Sequence, residues 1–125
     1  MQKNRIVPPR TAALLALVLL PGLCLARVPD PNECVEAGDF IKNAALARDS
    51  GMTEADFISR VRDDIEVIQS FPPNMRWFVQ DEEDAAFLIA AATDVFQKPR
   101  QAAEHQRDFV KACMVKAKNK PKYSL

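Results

Sequence analysis

Three glycines stand in the 125 residues, with one histidine, one tryptophan and one tyrosine. Each scarcity excludes something. One of the three glycines, Gly22, lies in the apolar leader, which leaves no glycine-rich loop to cradle a phosphate. No serine sits in the glycine-flanked elbow that would make it a nucleophile. A lone His105 cannot supply the several nitrogen or thiolate ligands of a transition-metal site. We therefore expect no enzyme, no cofactor and no metal centre. Long apolar runs are also missing. "TAALLALVLL" is too short to cross a bilayer as a helix, and Pro21 and Gly22 break it.

That run has another use. Lys3, Arg5 and Arg10 form a basic head before it, and "LCLA" after it ends in the small residue Ala26. This is the layout of a secretory signal, 1–26, cleaved after Ala26. Leu23 before Cys24 argues against a lipoprotein signal. The remaining chain would be exported to a periplasm or secreted. Three of the 17 basic residues leave with the leader and none of the 17 acids, so the balance becomes about −3. Some 99 residues remain, one small domain whose thin core favours a covalent staple. Cys34 and Cys113 are the only cysteines left, and two cysteines in an exported chain most often pair.

Four helices are predicted over 27–118. Asp30, Pro31 and Glu33 have the spacing of a capping box, and Gly51 suits the left-handed residue after the first helix. Cys34, Ala37, Ile41, Ala44 and Ala45 recur along it at helical spacing. Thr53 can cap the second helix, whose stripe is Phe57, Ile58, Val61, Ile65 and Ile68. Pro72 and Pro73 stop it. Asp81 can cap the third, with Glu82, Glu83 and Asp84 at the positive end of its dipole. "AAFLIAAATDVF" is apolar almost all round, which predicts the most buried helix. Pro99 suits the start of the fourth, with its stripe of Ala102, Gln106, Phe109, Val110, Cys113 and Ala117. The fold expected is all-α: a small up-down four-helix bundle tied by a Cys34–Cys113 bridge between first and last helix. Residues 119–125 read as a basic disordered tail. Lys116, Lys118, Lys120 and Lys122 could touch an anionic surface, although charge runs are usually solvated.

Two acid-bearing segments invite a chemical reading. His105 and Asp108 share a helix face, yet a solvated face with ordinary charge pairing is the simpler expectation. "DEED" at 81–84 is contiguous and lacks the spacers and glycine of a calcium loop. The segment 71–84, "FPPNMRWFVQDEED", is different. Met75, Trp77, Phe78 and Val79 are too apolar for a free linker. They either close the core as a short helical turn or present Arg76, Trp77 and Phe78 to a partner. In the closing reading Arg76 is solvated or paired with an acid.

The pattern of Cys34 opening the first helix, Arg48 to Gly51 ending it, and "DVFQKP…EHQRDFVKAC" closing on Cys113 resembles small exported proteobacterial helical proteins of unassigned function. The resemblance implies an exported helical domain and brings no catalytic residues. The function expected is therefore a protein-interaction module in the cell envelope, with an envelope or secreted protein as partner and no nucleic acid. An acid- or envelope-stress chaperone is the alternative, and an unrecognised hydrolase a distant third.

Overall fold

In the computed structural model, residues 28–118 are described. The expected leader, 1–26, and the expected tail with Lys120 and Lys122 lie outside them. Four helices follow in order: α1 Pro31–Asp49, α2 Glu54–Gln69, α3 Glu82–Gln97 and α4 Ala102–Lys118. Among the described residues there is no strand.

The helix ends obey local chemistry. Asp30 and Glu33 form the capping box, each side chain accepting from the other's backbone N–H. At the far end of α1, Met52 N–H donates to Ala47 O (3.0 Å) and Gly51 N–H to Arg48 O (2.9 Å). That pair of bonds is a Schellman motif, and Gly51 supplies its left-handed residue at φ 95°. Thr53 caps α2 by accepting from Asp56 N–H (3.1 Å), and Asp81 caps α3 by accepting from Asp84 N–H (2.8 Å).

The Cys34–Cys113 disulfide joins the start of α1 to the last turns of α4, with Cα atoms 5.5 Å apart. Asp39 accepts from Gln106 Nε2 (2.7 Å) midway along the same pair, and Arg48 meets the α4 start at the other end. α1 and α4 are thus antiparallel, and theirs is the most extensive helix contact. Gly38 makes it close. A β-carbon there would come 2.5 Å from Val110 Cγ2, and valine has little rotamer freedom on a helix. Gly38→Ala is expected to cost about 1 to 3 kcal/mol by overpacking, outweighing alanine's better helix propensity; chemical denaturation would measure it.

α3 leaves the smallest share of its residues exposed, as its apolar sequence predicts, while α1 is the hub of the packing. Cys34, Ala37, Gly38, Ile41, Ala44 and Ala45 all face inward from it, and it touches the other three helices. α3 buries Asp84, Ala85, Leu88, Ala92 and Val95 but leaves Ala86 and Ala90 exposed. Alanine-rich sequence made α3 look apolar all round, yet alanine is cheap to leave in water. α4 begins at Ala102, three residues after Pro99. Lys98 to Arg100 instead forms a tight turn, with Arg100 N–H donating to Lys98 O (2.7 Å). It buries His105, Phe109 and Cys113, a stripe rotated slightly from the one predicted.

Six of the seven phenylalanines and Trp77 make a continuous chain of rings. It runs Phe96, Phe57, Phe40, Trp77, Phe78, with centroids 5.4 to 6.1 Å apart. Phe78 then meets Phe87 and Phe109, which also touch each other. Such pairs add about 0.5 to 1.5 kcal/mol beyond simple burial. Only Phe71 stays outside the chain, 43 % exposed.

Candidate functional site

The segment between α2 and α3 is built around Arg76. Pro72 and Pro73 end α2's direction, a 3-10 turn spans Pro73–Met75, and the backbone is extended from Arg76. The guanidinium then reaches back. Its Nε donates to Phe71 O (2.8 Å), Nη2 to Gln69 O (2.9 Å) and Nη1 to Gln80 O (2.9 Å). Gln69 O belongs to the last turn of α2, where helical partners run out, and Phe71 O lies just past it. Arg76 is half-buried and pairs with no acid among the described residues: it holds both ends of its loop. Gln80 completes the brace. Its amide donates to Arg76 O and Trp77 O, and its N–H donates to the buried Asp84 carboxylate (3.0 Å).

This brace fixes what Trp77 to Val79 can do. Phe78 and Val79 are fully buried, each worth about 1.5 to 3 kcal/mol in apolar transfer. Trp77 is half-buried between Phe40 and Phe78. The segment closes the core with Phe78 and Val79, and it leaves one side of Trp77 available. Trp77→Ala is expected to cost about 2 kcal/mol, below the 3 to 5 of a fully buried aromatic. Thermal unfolding by circular dichroism would read it.

The available side of Trp77 faces a groove. Of the helix pairs with substantial contact, α1 and α2 touch least. They meet through Phe40 and Phe57. Beyond that contact lies a depression of about 440 Å³, lined by Phe40, Val61, Ile65, Val67, Ile68, Trp77, Val79 and Leu88. Asp64 is the one polar residue in that lining. Val67 stands 57 % exposed in the wall. A concave apolar surface with one charged residue in its wall is the usual form of a recognition site.

The polar residues of the other end form a lock. Arg48 leaves the end of α1 and donates through Nη1 to Val95 O (2.7 Å) and Lys98 O (3.1 Å), and through Nη2 to Arg100 O (2.7 Å). One side chain thus caps the end of α3 and fixes the turn into α4. His105, 3 % exposed, lies beneath. Its Nε2 is 2.8 Å from Lys98 O, so that nitrogen carries the proton and donates. Arg48 Nη1, 3.4 Å away, is then a neighbour and not a donor to it. The expected solvated face is not what His105 occupies: it is a core histidine holding the α3–α4 turn. Its spacing to Phe109 and Cys113, four and eight residues on, carried that information.

Asp108 does not pair with His105. It accepts from Arg100 Nη1 at 2.6 Å. The Arg100 hydrogen bond is the main cause that lowers its carboxyl below the ordinary 3.8, with Arg100, Arg107 and Lys111 adding positive charge. A lowered folded-state value stabilises above the ordinary range and is lost as pH falls through it. Asp108→Asn should therefore leave neutral stability slightly reduced and remove a small part of the loss seen below about pH 4; a stability–pH profile of both proteins would show it. Among the described residues no group of acids, histidines or cysteines could hold a metal, and no helix is long and apolar enough to cross a membrane.

Lys116 lies with its ammonium 4.1 Å from the Phe87 ring centroid, and Lys118 is the last residue of α4. Cys34, Cys113, Trp77 and Phe78 all belong to the end of the bundle where α1 begins. Set against known proteins, the chain matches no family model, no curated protein and no solved structure.

Proposed function

We propose that this is a small exported protein without enzymatic activity that binds a protein partner in the periplasm or outside the cell. The observation that carries the reading is the groove between α1 and α2. Its wall is apolar and open, and the Arg76 brace holds Trp77 at its edge. Stiff, half-exposed aromatics next to apolar pockets are typical binding anchors. Export is supported by the leader pattern in 1–26 and by the disulfide, a bond that persists in oxidising compartments. In this reading Trp77 meets the partner, while Arg76 and Phe78 hold it in place from within the loop.

Val67 gives the cleanest test, because an exposed side chain can be changed at little cost to folding. Val67→Asp should fold normally and lose about tenfold or more in partner capture from envelope extract. A partner held equally by both proteins would place recognition on another face.

A further inference from the structure

We infer that the groove's occupant is an amphipathic helix from another protein that presents apolar side chains to the groove and a lysine or arginine to Asp64. The inference rests on the groove being the binding surface and adds the chemistry of what fills it.

The first observation is shape. α1 and α2 part beyond the Phe40–Phe57 contact, and the floor between them is already closed by Leu88 and Val79. A largely apolar groove beside two helices accepts a third helix whose anchors recur at i, i+3 and i+7. Val67, Phe71 and Met75 are 57, 43 and 66 % exposed. Val67 lines the groove, and Phe71 and Met75 follow it in sequence beyond the end of α2.

The second observation is charge. Asp64 lines the groove, is exposed, and makes no hydrogen bond or ion pair among the described residues. Arg60 stands one turn earlier on α2, also exposed and without an ion pair to it. The other cation near the site, Arg76, has its donors committed to Gln69, Phe71 and Gln80. The wall therefore offers an uncommitted carboxylate, while Arg76 has little left to give an incoming acid. A basic residue on the entering helix would pair with Asp64 as the apolar contacts exclude water. An acidic one would meet repulsion, and that difference confers selectivity more than strength.

Trp77 is the chain's only tryptophan, so its emission reports the groove directly. The test titrates the protein with two tryptophan-free helical peptides. Both carry leucine at i, i+3 and i+7; one has lysine on the flank and the other glutamate. The lysine peptide should shift Trp77 emission saturably and bind about fivefold more tightly, an advantage that fades at high salt. Asp64→Asn should bring the two affinities together without abolishing either. Equal binding by both peptides to the unaltered protein would overturn the charge selection and leave the groove reading standing. Failure of both peptides to bind would overturn the helical occupant. Sedimentation of the protein alone supplies a further check. A dimer that Val67→Asp dissociates would make a second copy the occupant and overturn the inference.

Discussion

Replacing Cys34 with serine is expected to destabilise the domain by about 4 to 5 kcal/mol, most of what a domain of this size has to spare. The bridge closes a sequence separation of 79 residues, nearly the whole described chain, so its removal frees almost the entire unfolded ensemble. It also releases the contact that matters most in the fold, since α1 packs chiefly on α4. Cys113→Ser should have the same effect, and the double variant no more than either alone. Equilibrium denaturation with and without reductant would check all three.

Arg48→Met is expected to cost about 3 kcal/mol, lowering the melting temperature by on the order of 15 °C. Methionine keeps much of the stem but none of the donors. Val95 O, Lys98 O and Arg100 O would lose their shared partner, and bonds to a charged donor are worth more than neutral ones. Arg48→Lys should recover only part, because an ammonium cannot fork across three carbonyls. Amide exchange adds a local signature: faster exchange at residues 98–105, with the disulfide end of the bundle unchanged.

The sequence was most readable where structure is local. Asp30 with Glu33, Thr53, Asp81 and Gly51 each act within a few residues, and the helix ends came out where those residues put them. The bridge was readable because Cys24 falls within the expected leader, which leaves Cys34 and Cys113 as the expected pair. Burial was harder. α1's inner face is mostly Ala37, Gly38, Ala44 and Ala45, residues with little apolar surface and hence a weak periodic signal. Their small size is what lets α4 approach closely enough for α1 to become the hub. In α3 the apolar signal matched the burial, although Ala86 and Ala90 contribute to that signal and stay in water.

The site was legible in part for the same reason. That 71–84 differs from a linker could be seen from its aromatic content. That Phe78 turns inward while Trp77 borders a groove depends on Arg76 bonding to three carbonyls, and backbone acceptors leave no mark in a sequence. Arg48 is the same kind of residue at the opposite end. In both, a charged side chain that looks like surface is spent on chain ends. The groove itself comes from the parting of α1 and α2, a tertiary fact set by how α3 and the 71–80 loop fill the space beneath.

Hydrogen–deuterium exchange of the protein alone and with its captured partner tests the groove most directly. Protection on binding is expected at residues 61–68 of α2 and at 77–80, with the outer face of α4 around Arg107, Lys111 and Lys118 unchanged. Protection confined to that basic face, with α2 and the Trp77 segment exchanging as before, would contradict that expectation.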